Sequence, residues 1–143
     1  MARISRDKLF MEVAELFALR STCLRGKVGC VAVKDNRIIA TGYNGSPSGH
    51  THCTPETCNE NESCKNAIHA EANLIAFAAK AGVSLQGSIL YCTHMPCLKC
   101  AQLIIQSGIR QVIWKNDYHD LSGLNLLWAG NIPITVLKYK DII

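Results

Sequence analysis

The chain lacks a long apolar run: none of its 143 residues belongs to a stretch near the roughly 18 consecutive apolar positions that would suggest a membrane span. No leader is expected either. Met1-Ala-Arg-Ile-Ser-Arg-Asp-Lys8 is charged, and Glu12 and Glu15 interrupt the apolar residues behind it, so the segment reads as an amphipathic helix and not as a secretory signal. Aromatic residues make up only 6% of the chain, too few to line a channel that stacks single-stranded nucleic acid. There is no linker, no internal repeat and no low-complexity tract. These absences leave one domain over residues 1–143, long enough to bury a core, with 48% hydrophobic and 18% charged residues and an expected cytoplasmic location.

Cysteine is the residue in excess, with eight copies. Secreted disulfide frameworks usually belong to shorter, loop-rich domains. Here Cys97-x-x-Cys100 stands with His69, while Cys53, Cys58 and Cys64 cluster in one segment. Metal ligation in a reducing compartment is therefore the first reading and disulfide bonding the second.

His69-Ala-Glu71 and Met95-Pro96-Cys97-Leu98-Lys99-Cys100 together supply one imidazole, two thiolates and a carboxylate. Structural zinc sites close with four protein ligands, whereas catalytic ones keep a position open for water. Three ligands beside a proton carrier match the second kind. Zinc lowers the pKa of a bound water toward about 7, and Glu71 is placed to carry protons to and from a substrate. Taken singly, a C-x-x-C pair or a His-Ala-Glu triplet means little, and Glu71 alone could be a first-turn acid favoured by the helix dipole.

Apolar periodicity predicts a helix from Asp7 to Arg20 with Ser5 as N-cap, then strands Val28–Val33 and Ile38–Tyr43 about a turn at Lys34–Arg37. A long polar loop, 44–66, precedes a helix from His69 to Ala81 that stops at Gly82. Strand Ser88–Cys92, a helix from Pro96 to Gln106, strand Ile109–Trp114, a short helix at Leu121–Trp128 and strand Ile132–Leu137 complete the pattern. The order α-β-β-α-β-α-β-α-β argues for an α/β three-layer sandwich, a mixed five-stranded sheet with helices on both faces. Cys30 and Cys92 fall within strands and read as small core residues. His69, Cys97 and Cys100 fall at helix starts, where free N–H groups and the dipole favour thiolates.

The formal charge of +4 suits a small phosphorylated molecule better than a long nucleic acid. A zinc on one neutral His and two thiolates leaves that balance unchanged, and a second on four thiolates would bring it to about +2.

On these motifs the chain resembles the zinc-dependent cytidine deaminase superfamily and, within it, the deoxycytidylate deaminases. The resemblance covers nearly the whole chain and rests on Val28-Gly-Cys-Val-Ala-Val33, Gly42-Tyr-Asn-Gly-Ser-Pro47, His69-Ala-Glu-Ala-Asn73, Pro96-Cys-Leu-Lys-Cys-Ala101 and Gln106-Ser-Gly-Ile109. The Gly-Tyr-Asn-Gly-x-Pro loop favours deoxycytidylate deaminases. Free-nucleoside cytidine deaminases usually carry Cys where His69 stands, and tRNA adenosine deaminases share the zinc motifs without this loop.

The resemblance implies hydrolytic deamination of dCMP to dUMP, with His69, Cys97 and Cys100 on a catalytic zinc and Glu71 as proton shuttle. It implies that Asn44 bonds the substrate sugar, that the backbone at Ala70 reads the base, that the His94 carbonyl accepts from the amino group, and that Tyr118 lines the pocket. Arg25 and Lys27 are candidates for the 5′-phosphate, or else a solvated pair at a strand entry. Homohexamers activated by dCTP and inhibited by dTTP are common in the family. Here that would involve Gly42, Tyr43, Gly45 and Ser46, and Lys80 at a place where arginine is frequent.

Some relatives also hold a structural zinc at places matching Cys23 and Cys53. Cys58 and Cys64 can complete such a site, His50 or His52 can substitute, and free surface thiols are the alternative. Two rival functions remain at this level: the same chemistry on tRNA adenosine or single-stranded DNA cytosine, and a non-catalytic zinc-binding nucleotide module. Glu71 argues against the second, since a binding module has no use for a proton shuttle.

Overall fold

Asp35 and Asn36 both adopt positive φ, 51° and 60°. Asp and Asn tolerate that region, and a two-residue turn of this hand matches the right-handed twist of the strands it joins. It closes an antiparallel hairpin between β1 (Gly29–Lys34) and β2 (Arg37–Tyr43), with a register irregularity between Ala32 and Val33. The computed structural model describes residues 2–59, 61 and 64–138. Within them the remaining elements are α1 (Arg6–Ala18), α2 (Ala70–Ala81), β3 (Ile89–His94), α3 (Leu98–Gln106), β4 (Gln111–Asn116), α4 (Ser122–Ala129) and β5 (Ile134–Val136).

The strands form one mixed sheet in the order β2-β1-β3-β4-β5. β1 pairs antiparallel with both β2 and β3, while β3, β4 and β5 run parallel through helical crossovers. Side chains on successive strand positions point to opposite faces, and the core divides accordingly. Cys30, Ala32, Leu90, Cys92, Val112 and Trp114 pack beneath α2, α3 and α4. Val31, Val33, Tyr91 and Ile113 face α1, where Phe10 and Met11 cover them. The expected three-layer α/β architecture is what the chain adopts. No described helix is long and apolar enough to cross a membrane.

Most element boundaries move by one to three residues, and two of these shifts have a physical cause. Pro96 does not open α3. Cys97 is extended, with φ −74° and ψ 172°, and serves as the N-cap, so the helix begins at Leu98. β3 runs on to His94 because Asn116 of β4 ties down its end: the Asn116 side-chain amide donates to the Thr93 carbonyl at 2.8 Å, and its carbonyl accepts from Met95 N–H at 2.8 Å.

Two glycines set how closely helices approach the site. A Cβ on Gly42 would collide with the Ala70 carbonyl and lie 2.9 Å from Leu74, so only glycine lets α2 sit this close to β2. A Cβ on Gly123 would strike the Pro96 carbonyl and the Cys97 backbone, so α4 braces the turn that carries Cys97. The ends of the long loop are pinned by paired backbone bonds between Gly45 and Ile68, at 3.2 and 2.8 Å.

Candidate active site

His69 and Cys97 are the N-cap residues of α2 and α3, and neither side chain bonds back to its own helix. N-cap side chains usually satisfy the free N–H groups of the first turn. Here the ring and the thiol instead turn toward each other. Cys100, one turn into α3 and 2% exposed, joins them. His69 Nδ1 lies 3.4 Å from Cys97 Sγ and 3.5 Å from Cys100 Sγ, and the three donor atoms all fall within 4.8 Å of one another.

The set fits zinc in chemistry and in spacing. Bonds of about 2.3 Å to sulfur and 2.05 Å to nitrogen at a tetrahedral angle separate the donors by about 3.5 Å. The Cys100 thiol and the His69 ring hold the Cys97 thiol down to about 4. Cys100 is pushed up, first by its hydrogen bond with Cys97 and then by burial. A dication held by the set would favour both sulfurs as thiolates. His69 is raised above its ordinary value, chiefly by Cys97.

Glu71 stands in the first turn of α2 and is 4% exposed. Burial raises its carboxyl above the ordinary range; its own backbone N–H, the Cys92 thiol and the His69 ring pull it partly back. Cys92 Sγ donates to Glu71 Oε1 at 3.4 Å. A carboxylate biased toward its protonated form beside a three-ligand metal set can accept a proton from water and return it.

The other expected residues fall into separate groups. Asn44, 8% exposed, is engaged with backbone: Oδ1 accepts from Val28 N–H at 2.9 Å and Nδ2 donates to the Gly26 carbonyl at 2.8 Å. It clamps the segment carrying Arg25 and Lys27. Lys27 donates to the Ser21 carbonyl at 2.8 Å, and Arg25 lines a cavity with the loop cysteines. Ala70, the first residue of α2, is fully buried. His94 Nδ1 lies 2.9 Å from Thr93 Oγ1, and burial lowers its pKa. Tyr118 is exposed and packs on His119 at 4.3 Å between ring centres.

Cys53, Cys58 and Cys64 line that cavity of about 140 Å³, and Cys23 is near enough to act electrostatically on Cys58. Among the described residues, however, His69, Cys97 and Cys100 are the one set of three donors within 4.8 Å. The loop cysteines are gathered but not closed around a point. Cys23 and Cys64 accept from Arg25 and Ala67 N–H, each at 3.4 Å.

A second cavity, about 540 Å³, opens on another stripe of α2 and brings together Gly42, Tyr43, Gly45, Ser46, Phe77 and Lys80. Ser46 Oγ is buried there without a hydrogen-bond partner, and Lys80 Nζ lies 5.7 Å from the Phe77 ring centre. Three supporting residues escaped the sequence reading. Asn73 Nδ2 donates to the Tyr43 carbonyl at 2.9 Å, Thr93 Oγ1 accepts from Gly29 N–H at 3.2 Å, and Cys92 contacts Glu71. Only the strand alternation that put Cys92 on the face of α2 could have signalled the last.

A mixed sheet with an imidazole and two thiols at adjoining helix starts defines a metal centre of the cytidine deaminase-like fold. The chain belongs to the cytidine and deoxycytidylate deaminase zinc-binding family, whose pattern matches residues 4–116. It is 47% identical over 119 residues to ComE operon protein 2 of Bacillus subtilis (strain 168), covering 82% of this chain and 63% of that protein. It is 41% identical over 142 residues to the deoxycytidylate deaminase of Schizosaccharomyces pombe, covering 92% of this chain and 44% of that one. The chain thus spans less than two thirds of both relatives. The dCMP deaminase of cyanophage S-TIM5, solved in complex with dCMP and dUMP, superposes with a TM-score of 0.85 at 34% identity, covering 96% of this chain and all of the other.

Proposed function

We propose that this chain is a zinc-dependent deoxycytidylate deaminase that hydrolyses dCMP to dUMP and ammonia. One observation carries the reading: three metal donors and a buried carboxylate meet at one point in a chain that superposes on an enzyme solved with dCMP and dUMP. Zinc held by His69, Cys97 and Cys100 would supply the Lewis acidity that makes water nucleophilic at neutral pH. Glu71 takes the proton from that water, hands it to the ring nitrogen, and delivers a proton to the departing amino group. Addition of water at the amino-bearing carbon and loss of ammonia leave the uracil carbonyl.

In this reading the Ala70 backbone and the His94 carbonyl hold the base, Asn44 meets the sugar while keeping its clamp on Gly26 and Val28, and Tyr118 borders the nucleotide. Arg25 and Lys27 take the 5′-phosphate. The 540 Å³ cavity at Gly42, Tyr43, Gly45, Ser46 and Lys80 suits a nucleotide effector, with dCTP as activator and dTTP as inhibitor. Homohexamer assembly fits the open edge at β2, flanked by exposed Ile38 and Phe77. A second zinc on Cys23, Cys53, Cys58 and Cys64 would draw the gathered thiols together and order the loop. Eight thiols, none in a disulfide, suit a reducing cytoplasm.

The test is ammonia release from dCMP, dCTP, deoxycytidine and CMP, each with and without dTTP. dCMP should be turned over fastest, and equal turnover of nucleoside and monophosphate would overturn the assignment. Glu71→Ala should keep its zinc and lose activity; full ammonia release from that variant would remove the mechanism. Two zinc equivalents per chain support the loop site and one counts against it.

A further inference from the structure

The Glu71 carboxylate is almost wholly enclosed, and besides the Cys100 thiol of the metal set it meets a side-chain partner that comes from the sheet. Cys92 is the fourth residue of β3, 0% exposed, with its thiol 3.4 Å from Glu71 Oε1. Behind it stands Cys30, also 0% exposed, its direct antiparallel partner on β1. Two thiols in single file thus lead from the hydrogen-bonded centre of the sheet to the carboxylate. Glutamate has three rotatable side-chain bonds, and an unanchored carboxylate would sample several rotamers. A donor fixed on an interior strand selects one of them.

The anchor differs from the rest of the site in being dry and neutral. Leu74 and Ala70 of α2 pack on the same face as Cys92, so water does not readily replace a missing donor. A thiol is a weak donor, sufficient to orient a carboxylate that is already confined. The neighbouring strand position, Tyr91, points to the opposite face and hydrogen-bonds Asp7 of α1 at 2.6 Å. Only a residue in the register of Cys92 can reach Glu71 from β3.

We propose that Cys92, backed by Cys30, is a positioning residue for the reaction: its S–H holds the Glu71 carboxylate in the rotamer from which protons are moved. The proposal rests on the assignment of Glu71 as proton carrier. It concerns alignment, so it affects the chemical step and leaves substrate binding and metal content alone.

The experiment compares zinc-loaded wild type with Cys92→Val, which keeps an apolar, strand-forming side chain about one methyl larger but has no donor, and with Cys92→Ser, which keeps a donor on a shorter bond. Cys92→Val should lower kcat about tenfold, as expected for losing one hydrogen bond to a charged group. KM, zinc per chain and melting temperature should stay near wild type, and Cys92→Ser should recover part of kcat. A second readout needs no turnover. In zinc-stripped protein the Cys92 S–H stretch, isolated by subtracting the Cys92→Val infrared spectrum, should shift when Glu71 is replaced by Ala. Unchanged kcat in Cys92→Val overturns the proposal, as does a kcat loss that follows zinc loss or unfolding, or an S–H band indifferent to Glu71. A Glu71→Ala control separates the two claims: if it stays active the proton-carrier assignment itself has failed, and if it is inactive while Cys92→Val is normal, only the positioning role has.

Discussion

Replacing Gly42 with alanine should cost this protein its metal before it costs the fold. The added methyl would overlap the Ala70 carbonyl and lie 2.9 Å from Leu74 Cβ and N, against ordinary contacts of 3.4 Å or more. Restoring normal contact requires α2 to back away from β2 by about 0.5 Å at Leu74 and about 1 Å at Ala70. Ala70 immediately follows His69, so the displacement is largest where the imidazole is held. Metal sites tolerate ligand errors of about 0.2 Å, and a shift several times larger should weaken zinc by at least the 10–100-fold seen when ligand-orienting groups are lost. Overpacking itself costs about 1–3 kcal/mol, a fall of several degrees in melting temperature. The assay is zinc competition against a chelating dye, with thermal melts of the loaded and stripped forms. Gly26→Ala is the control, since its methyl would meet nothing within 4 Å. If Gly42→Ala binds zinc with wild-type affinity, the close seating of α2 is not what sets the metal geometry.

Two further outcomes follow from groups at the same end of the sheet. Burial raises the Glu71 carboxyl in the folded chain, so the neutral form is favoured there, and stability present below the ordinary carboxylate pKa of about 4.3 is lost as pH rises through the folded value. Zinc-stripped Glu71→Gln should therefore melt above wild type at neutral pH and converge with it near pH 4; parallel melting curves at every pH would contradict the burial argument. Asn44→Ala removes the partners of Val28 N–H and the Gly26 carbonyl and should destabilise the chain by about 2 kcal/mol in urea unfolding, whereas a change under about 0.5 kcal/mol would mean that water replaces the clamp.

The strand and helix order was readable because period-2 and period-3.6 patterns report directly on which face is buried. The apolar run Val28–Val33 read as a strand, and the structure divides it between faces, Val31 and Val33 toward α1 and Cys30 and Ala32 toward the other helices. The start of α3 was misplaced because proline is equally compatible with the first helical turn and with the extended residue before it. The choice was made by Gly123, whose missing side chain lets α4 press on the Pro96–Cys97 backbone. Asn44 was read as a ligand for substrate, and its bonds to Gly26 and Val28 depend on a segment 16–18 residues away that local sequence does not bring near.

By itself the sequence determined the chemistry on offer: one imidazole, two thiols and a carboxylate at helix starts, in a chain patterned for a mixed sheet. Donor identity and helix-start signals are local properties and survive in one dimension. Tertiary structure decided which of those groups meet. It drew His69, Cys97 and Cys100 to within 4.8 Å, left Cys23 and the three loop cysteines short of closure, and set Cys92 against Glu71. The distances that separate a metal site from a cluster of thiols are set by how closely α2 and α4 can approach the strand and turn beneath them. That approach is governed by the missing side chains of Gly42 and Gly123, whose contacts lie far along the chain.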